Sequence, residues 1–213
     1  NTMSYETDMA KAGGRLTFLG RAIILDGKIK AAGGGAIGCG SGTTVKLTNT
    51  IIKNCTAHNG AKTGTGGAIY AEGATVKITN STLTGNTAQH GGAIYAKKTS
   101  GTVSTVTIKD STIGGEDKDA NQVRGGSGGG IYVGKDCELT LEGSVQITGN
   151  KATKSGIFGG LGSGVYVQNA SAKFTMKGSA KVNTNNDVYL AAEAGGNVAM
   201  ITVDGTLTNN PAA

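Results

Sequence analysis

Tryptophan is missing from this chain, proline occurs once, and aromatic residues make up only 4% of it. A hydrophobic run of the ~18 residues that a membrane-spanning helix needs is also missing. The N-terminal stretch, NTMSYETDMAKAGG, has no apolar signal-peptide core, so a secreted protein would be represented here in its mature form. Lys and Arg are dispersed rather than gathered with aromatics, and the net charge is only +6, which argues against nucleic-acid binding. Three cysteines cannot all pair internally, and without a Cys-x-x-Cys there is no signal for zinc or thioredoxin-type chemistry. Only two histidines are present, His58 and His90. Neither has an evident acidic or cysteine partner, so both read as solvated loop residues rather than parts of a nucleophile system.

What the chain has is glycine, 38 residues of it in 213. The glycines follow no three-residue period, which excludes collagen. Between them run VKLT, VKIT, VTIK and LTLE, with strand composition and period-two alternation. Many short strands separated by glycine turns indicate an all-β protein.

The glycines belong to a repeat. GGAIYA at 66–71 returns at 91–96, with looser copies GGAIGC (34–39), GGGIYV (128–133), GSGVYV (162–167) and NDVYLA (186–191). Three apolar sites recur in each unit. The first is Ile37, Ile69, Ile94, Ile131, Val165 and Val188. The second is an alternating pair, from Val45/Leu47 to Ile201/Val203. The third is Ile52, Leu83, Ile113, Ile147, Val182 and Leu207. Three residues after the third site stands Asn86, Asn150, Asn185 or Asn210, with Cys55 and Glu116 in the other two units. Three short strands and three turns per unit make one coil of a β-solenoid, in which one coil cannot bury its apolar side alone. Alternation in the first strand points Ile131 and Val133 inward and Tyr132 outward. Tyr70, Tyr95, Tyr132, Tyr166 and Tyr189 therefore form an external row, with Gly38 in the first place.

Gly34-Gly35-Ala36-Ile37, Gly66-Gly67-Ala68-Ile69 and Gly91-Gly92-Ala93-Ile94 resemble the GGAI motif of chlamydial polymorphic outer-membrane proteins. Leu83-Thr84-Gly85-Asn86 and Ile147-Thr148-Gly149-Asn150 are similar to that family's Phe-x-x-Asn motif, with an aliphatic for the phenylalanine. The resemblance covers residues 33–210 and implies a right-handed parallel β-helix on a bacterial surface, adhesive and non-catalytic. The expected architecture is a single β-helix of about six coils. Residues 1–32 serve as an N-terminal cap or edge strands, 33–210 as repeats, and 211–213 as a tail. Within the cap, 4–12 reads as a short helix started by Ser4 and 16–29 as one or two strands. The C-terminal end shows no capping helix, as a stacking subunit would.

Three insertions, at 58–65, 114–127 and 151–163, are expected along one edge, where solenoids often bind. Ile157, Phe158 and Leu161 in the third form a contact site or fold back over their own coil. The tyrosine row has three readings: it stiffens the helix by stacking, binds sugar faces, or packs on another subunit. Cys39 and Cys137 share the parity of core residues and should lie inside, with a Cys39–Cys55 bridge open as an alternative. Glu116, Asp117 and Asp119, followed by Arg124, read as a surface loop, with a calcium site as the alternative.

No catalytic, cofactor-binding or metal residue is expected. Asp26, Asp110, Asp136 and Asp204 do not stack in one ladder, so the paired carboxylates of polysaccharide-cleaving β-helices have no counterpart. The function expected is a non-enzymatic, secreted or cell-surface, adhesin-like structural protein that self-assembles into a filament or surface layer. The alternative is a polysaccharide-binding or polysaccharide-degrading β-helix. Expected partners are other copies of the chain and a host or cell-surface glycan or protein, with no nucleic acid and no membrane span.

Overall fold

A computed structural model describes residues 33–59 and 62–208, together with the backbone of four earlier strands, Asp8–Met9, Arg15–Phe18, Ala22–Leu25 and Lys28–Ile29. The side chains of 58–59, 62–63 and 158 lie outside the description.

The chain winds as a right-handed parallel β-helix with almost no helical structure. Each complete coil has four strands rather than three, and like strands stack into four sheets. The first sheet carries Ile37–Cys39, Ile69–Glu72, Ile94–Lys97, Ile131–Val133, Val165–Val167 and Val188–Leu190. The second carries Thr44–Thr48, Thr75–Thr79, Thr105–Lys109, Glu138–Glu142, Lys173–Met176 and Met200–Val203. The third runs through Thr50–Lys53, Thr82–Thr84, Thr112–Gly114, Gln146–Thr148 and Lys181–Val182. The fourth, which the sequence did not show as a strand, contains Thr56–Asn59, Thr87–Ala88, Gln122–Arg124 and Lys151–Ser155. Its strands are short and send one small or branched residue inward, such as Ala57, Ala88 or Val123, so no apolar run advertises them.

The four early strands pair one with each sheet: Asp8↔Gly38, Arg15↔Thr44, Ala22↔Thr50 and Lys28↔Thr56. Asp8–Met9 is thus strand where the sequence suggested helix, and the remainder of that helix, including Ser4, lies outside the described residues. Five coils have all four strands. The next, at 165–182, has three, and the last described, at 188–203, has two.

The register matches the ladders read from the repeat. Ile69 pairs with Ile37 and Ile94, Val76 with Val45 and Val106, and Leu83 with Ile52 and Ile113. These aliphatics and Phe174 form one buried cluster running the length of the coils. Burying each contributes roughly 1.5–3 kcal/mol, but only once a neighbouring rung covers it.

The paired glycines have two separate causes. The first of each pair is left-handed, with φ +83° at Gly34, +70° at Gly66 and +61° at Gly91, a region closed to most side chains. The second has no room for a side chain. A Cβ on Gly67 would sit 2.0 Å from the carbonyl oxygen of Gly92, one rung on, and a Cβ on Gly35 would sit 2.0 Å from that of Gly67.

Candidate functional site

Two features on the outside of the coils carry the candidate residues: the tyrosine row on the first sheet and the loops that lead into it from the fourth. Tyr70, Tyr95, Tyr132, Tyr166 and Tyr189 stand in exact strand register. Their rings stack with centroids 5.8, 4.8, 4.9 and 5.4 Å apart in that order. The parallel ladder sets this spacing, since neighbouring strands lie about 4.8 Å apart. The row faces outward but is not bare. Tyr132, in the middle, is only 8% exposed, and Tyr189, at the end, 37%. The ring of Tyr70 lies over Gly33, where a Cβ would come within 2.3 Å of it.

His90 helps to close the row. It is half-buried, its ring meets Tyr132 edge-on at 5.3 Å and Tyr95 at 6.4 Å, and its Nδ1 accepts the Ser127 N–H at 3.1 Å. The expectation of a solvated loop histidine is therefore corrected at His90; the His58 side chain lies outside the description. Burial holds the His90 pKa below its usual value and pushes those of Tyr95, Tyr132 and Tyr166 up. Tyr70 is pushed up by burial and then by Glu72, whose Oε2 accepts its hydroxyl proton at 2.8 Å. Each offset stack contributes about 0.5–1.5 kcal/mol beyond buried area. The row thus acts as an external seam tying successive rungs together.

The asparagine corner is a second row, now inside. Asn86 Oδ1 accepts the Cys55 N–H at 2.9 Å, and Asn121 Oδ1 accepts the Asn86 N–H at 3.0 Å. Asn121 Nδ2 donates to Asn150 Oδ1 and to the Leu83 carbonyl, and Asn150 Nδ2 donates to Asn186 Oδ1 and to the Ile113 carbonyl. The row is Cys55–Asn86–Asn121–Asn150–Asn186. Counting from the third apolar site placed Glu116 and Asn185 in it. Residues 115–120 instead bulge out before Asn121, carrying a short 3₁₀ turn at Asp117–Asp119. The alternation after Asn121, Gln-Val-Arg, would have located it, because it matches Thr-Ala after Asn86. A third row runs through Thr50, Ser81 and Ser111, where Ser81 Oγ accepts the Thr50 N–H and Ser111 Oγ accepts the Ser81 N–H, each at 3.0 Å; it went unnoticed among the many surface threonines.

The insertions do not share one edge. Those after Thr56–Asn59 and Lys151–Ser155 fold as antiparallel hairpins between the fourth and first sheets, whereas the bulge at 115–120 lies between the third and fourth. Another, at 98–104, closes on itself through Thr99 and Thr102 between the first and second. Ile157 sits at a hairpin turn and is 89% exposed. Phe158 begins the return strand, and Leu161 is half-buried beside Ser127. Leu161 thus holds the place one rung beyond Ser127, at the corner that leads into the strand of Tyr166, while Ile157 stands at the hairpin tip.

Asp119 pairs with Lys53 at 2.7 Å, which lowers its pKa, while Glu116 and Asp117 are exposed. Among the described residues no group of three or more His, Cys, Asp or Glu stands close enough to hold a metal ion. All three cysteines are buried thiols, so the Cys39–Cys55 bridge is not formed. Cys39 Sγ donates to the Tyr70 carbonyl, and burial pushes its pKa up to about 12. No described helix is long and apolar enough to cross a membrane.

Residues 80–97 match the family model described as the Chlamydia polymorphic membrane protein (Chlamydia_PMP) repeat. The matched stretch runs from the third-sheet turn through Leu83, Asn86 and the glycine pair Gly91-Gly92 to the end of Ile94–Lys97, and so takes in both corners that the geometry explains. The chain is a β-solenoid in which one stretch, residues 80–97, matches this repeat. No curated protein and no solved structure gave a significant match.

Proposed function

We propose that the chain is a non-enzymatic, secreted or cell-surface structural protein with an adhesive role. The observation that carries this reading is the use to which the repeat puts its residues. The asparagine, hydroxyl and tyrosine rows join rung to rung, and in the described coils polar side chains stabilise the stack rather than converge on a cleft. The match to a polymorphic membrane protein repeat supports a surface location. Adhesion would reside in the loops that leave the coils, since these alone depart from the repeat.

Self-assembly into a filament or surface layer is part of the same reading. It is supported by the last described rung, where Val203 is 52% exposed although Met176, its partner one rung earlier, is buried. Such a rung accepts another strand by parallel pairing.

Labelling of intact producing cells with an antibody to the chain, before and after surface proteolysis, tests location; loss of the label on proteolysis is expected. Binding of the purified chain to cultured cells or to a glycan array tests adhesion. Depolymerisation of an acidic polysaccharide by the purified chain would refute the non-enzymatic reading. Electron microscopy with light scattering on one sample tests assembly, and discrete monomers at all concentrations would remove the filament.

A further inference from the structure

Seven ion pairs join described side chains, and none involves a fourth-sheet strand. The acids Glu72, Glu138, Glu142, Asp136 and Asp204 pair with lysines on or beside the first and second sheets, and Asp119 with Lys53 of the third. On the fourth sheet Arg124, Lys151 and Lys154 are all exposed, and no described acid pairs with them.

These three cations surround one hairpin. Lys151–Ser155 lies against Gln122–Arg124, with Thr153 opposite Arg124, and then overhangs it. The chain turns at Gly156-Ile157 and returns antiparallel as Phe158–Gly159, with Lys154 opposite Gly159. The return strand is seated on the glycine corner below. The Gly160 N–H donates to the Gly126 carbonyl at 2.8 Å, and a Cβ on Gly159 would be 2.3 Å from the Gly125 carbonyl carbon. The base is therefore anchored while the tip projects, with every residue from 153 to 157 exposed. Lys151 and Lys154, three apart on a strand, leave from opposite faces of the hairpin. At the tip Ile157 is the most exposed large apolar side chain among the described residues.

We propose that this hairpin docks tip-first on an anionic lipid bilayer, with Ile157 entering the boundary between headgroups and acyl chains and Arg124, Lys151 and Lys154 lying against the headgroups. A bilayer is the partner that uses both parts. It takes a single apolar tip without shape complementarity and attracts cations from all sides of it. A folded protein partner requires about 800 Å² of matching surface, more than a two-residue turn presents. A polyanionic glycan would engage the cations and leave Ile157 idle. The inference rests on the surface reading for its biological setting, since the hairpin must meet a membrane from outside.

Co-sedimentation of the whole chain with vesicles of phosphatidylcholine, alone or mixed with phosphatidylserine, tests it. Partitioning is expected to rise about tenfold or more with phosphatidylserine and to fall with salt. The triple variant Arg124→Gln, Lys151→Gln, Lys154→Gln should lose about a hundredfold, at roughly fivefold per cation. Ile157→Ser should lose about tenfold with all charges intact. Since all four side chains are exposed, melting temperatures should be unchanged, separating lost binding from lost fold. Binding that needs the cations but is indifferent to Ile157→Ser overturns the proposal in favour of a polyanion site. Absence of any phosphatidylserine preference overturns it outright. Vesicle binding by a chain that intact-cell labelling fails to find on the surface would overturn the surface reading and leave the lipid contact standing.

Discussion

Replacing Asn121 by Ala should be among the most destabilising single changes in the chain, although the side chain touches no loop tip and no tyrosine. Asn121 is wholly buried. Its Oδ1 accepts the Asn86 N–H at 3.0 Å and Asn86 Nδ2 at 2.8 Å, and its Nδ2 donates to the Leu83 carbonyl at 2.8 Å and Asn150 Oδ1 at 2.9 Å. Alanine leaves those four groups buried without their partner. A buried polar group stranded in this way costs about 1–3 kcal/mol. Partial rescue by neighbouring carbonyls brings the expected total to about 3–5 kcal/mol. For a chain of this size each kcal/mol shifts the melting temperature by about 2–4 °C, so a fall of roughly 6–20 °C is expected by circular dichroism or calorimetry. The control is Glu116→Ala, at the place where spacing alone puts the ladder. Glu116 is exposed on the bulge, and its loss should fall within about 0.5 kcal/mol. Equal effects of the two changes, or a neutral Asn121→Ala, would refute the continuous amide row.

Four further outcomes follow from the same geometry. Gly67→Ala should cost about 3 kcal/mol by forcing a Cβ against the Gly92 carbonyl, while Gly40→Ala, with open space around it, should be neutral; comparable urea midpoints for the two would contradict the close approach of rungs. Tyr132→Ala should cost about 3–5 kcal/mol through two lost stacks and the His90 contact, against about 1 kcal/mol for the half-exposed Tyr189→Ala; the order of the two melting temperatures decides this. Because burial lowers the His90 pKa in the folded state, its contribution is complete above about pH 6.5 and is lost as pH falls through the folded value; His90→Gln should flatten the stability profile below about pH 6.5, and an unchanged slope would sink the assignment. Finally, a thiol reagent at mildly alkaline pH should label none of the three cysteines in the folded chain and all of them in denaturant, since each is buried and the Cys39 pKa is raised to about 12; rapid labelling of the native protein would be incompatible with that burial.

The parallel coils were legible in the sequence because the side-chain period of a strand is two and the coil repeats it. Ile37, Ile69 and Ile94 must share a face, whatever the path between them. Handedness entered only through the resemblance to polymorphic outer-membrane repeats. The tyrosine row was legible for the same reason as the core, by parity from Ile131 and Val133. Its covering by His90 was not, because His90 reaches Tyr132 and Ser127 from the preceding coil, a relation that no fixed spacing in the chain expresses.

Wherever a ladder is built from one residue type at constant distance from its neighbours, the sequence alone determined it: the aliphatic columns, the tyrosines, and the glycines at each corner. Tertiary structure decided what depends on how rungs of unequal length are laid on one another. It chose Asn121 over Glu116, because a buried amide satisfies backbone groups on two rungs while an exposed bulge absorbs the surplus residues. It gave the second glycine of each pair its meaning, since the carbonyl that excludes a side chain belongs to a neighbouring rung. It also sent Ile157 outward at a hairpin tip among unpaired cations. An apolar residue among glycines reads the same in a sequence whether it covers a core or leaves it, and only the seating of Gly159 on Gly125-Gly126 settles which.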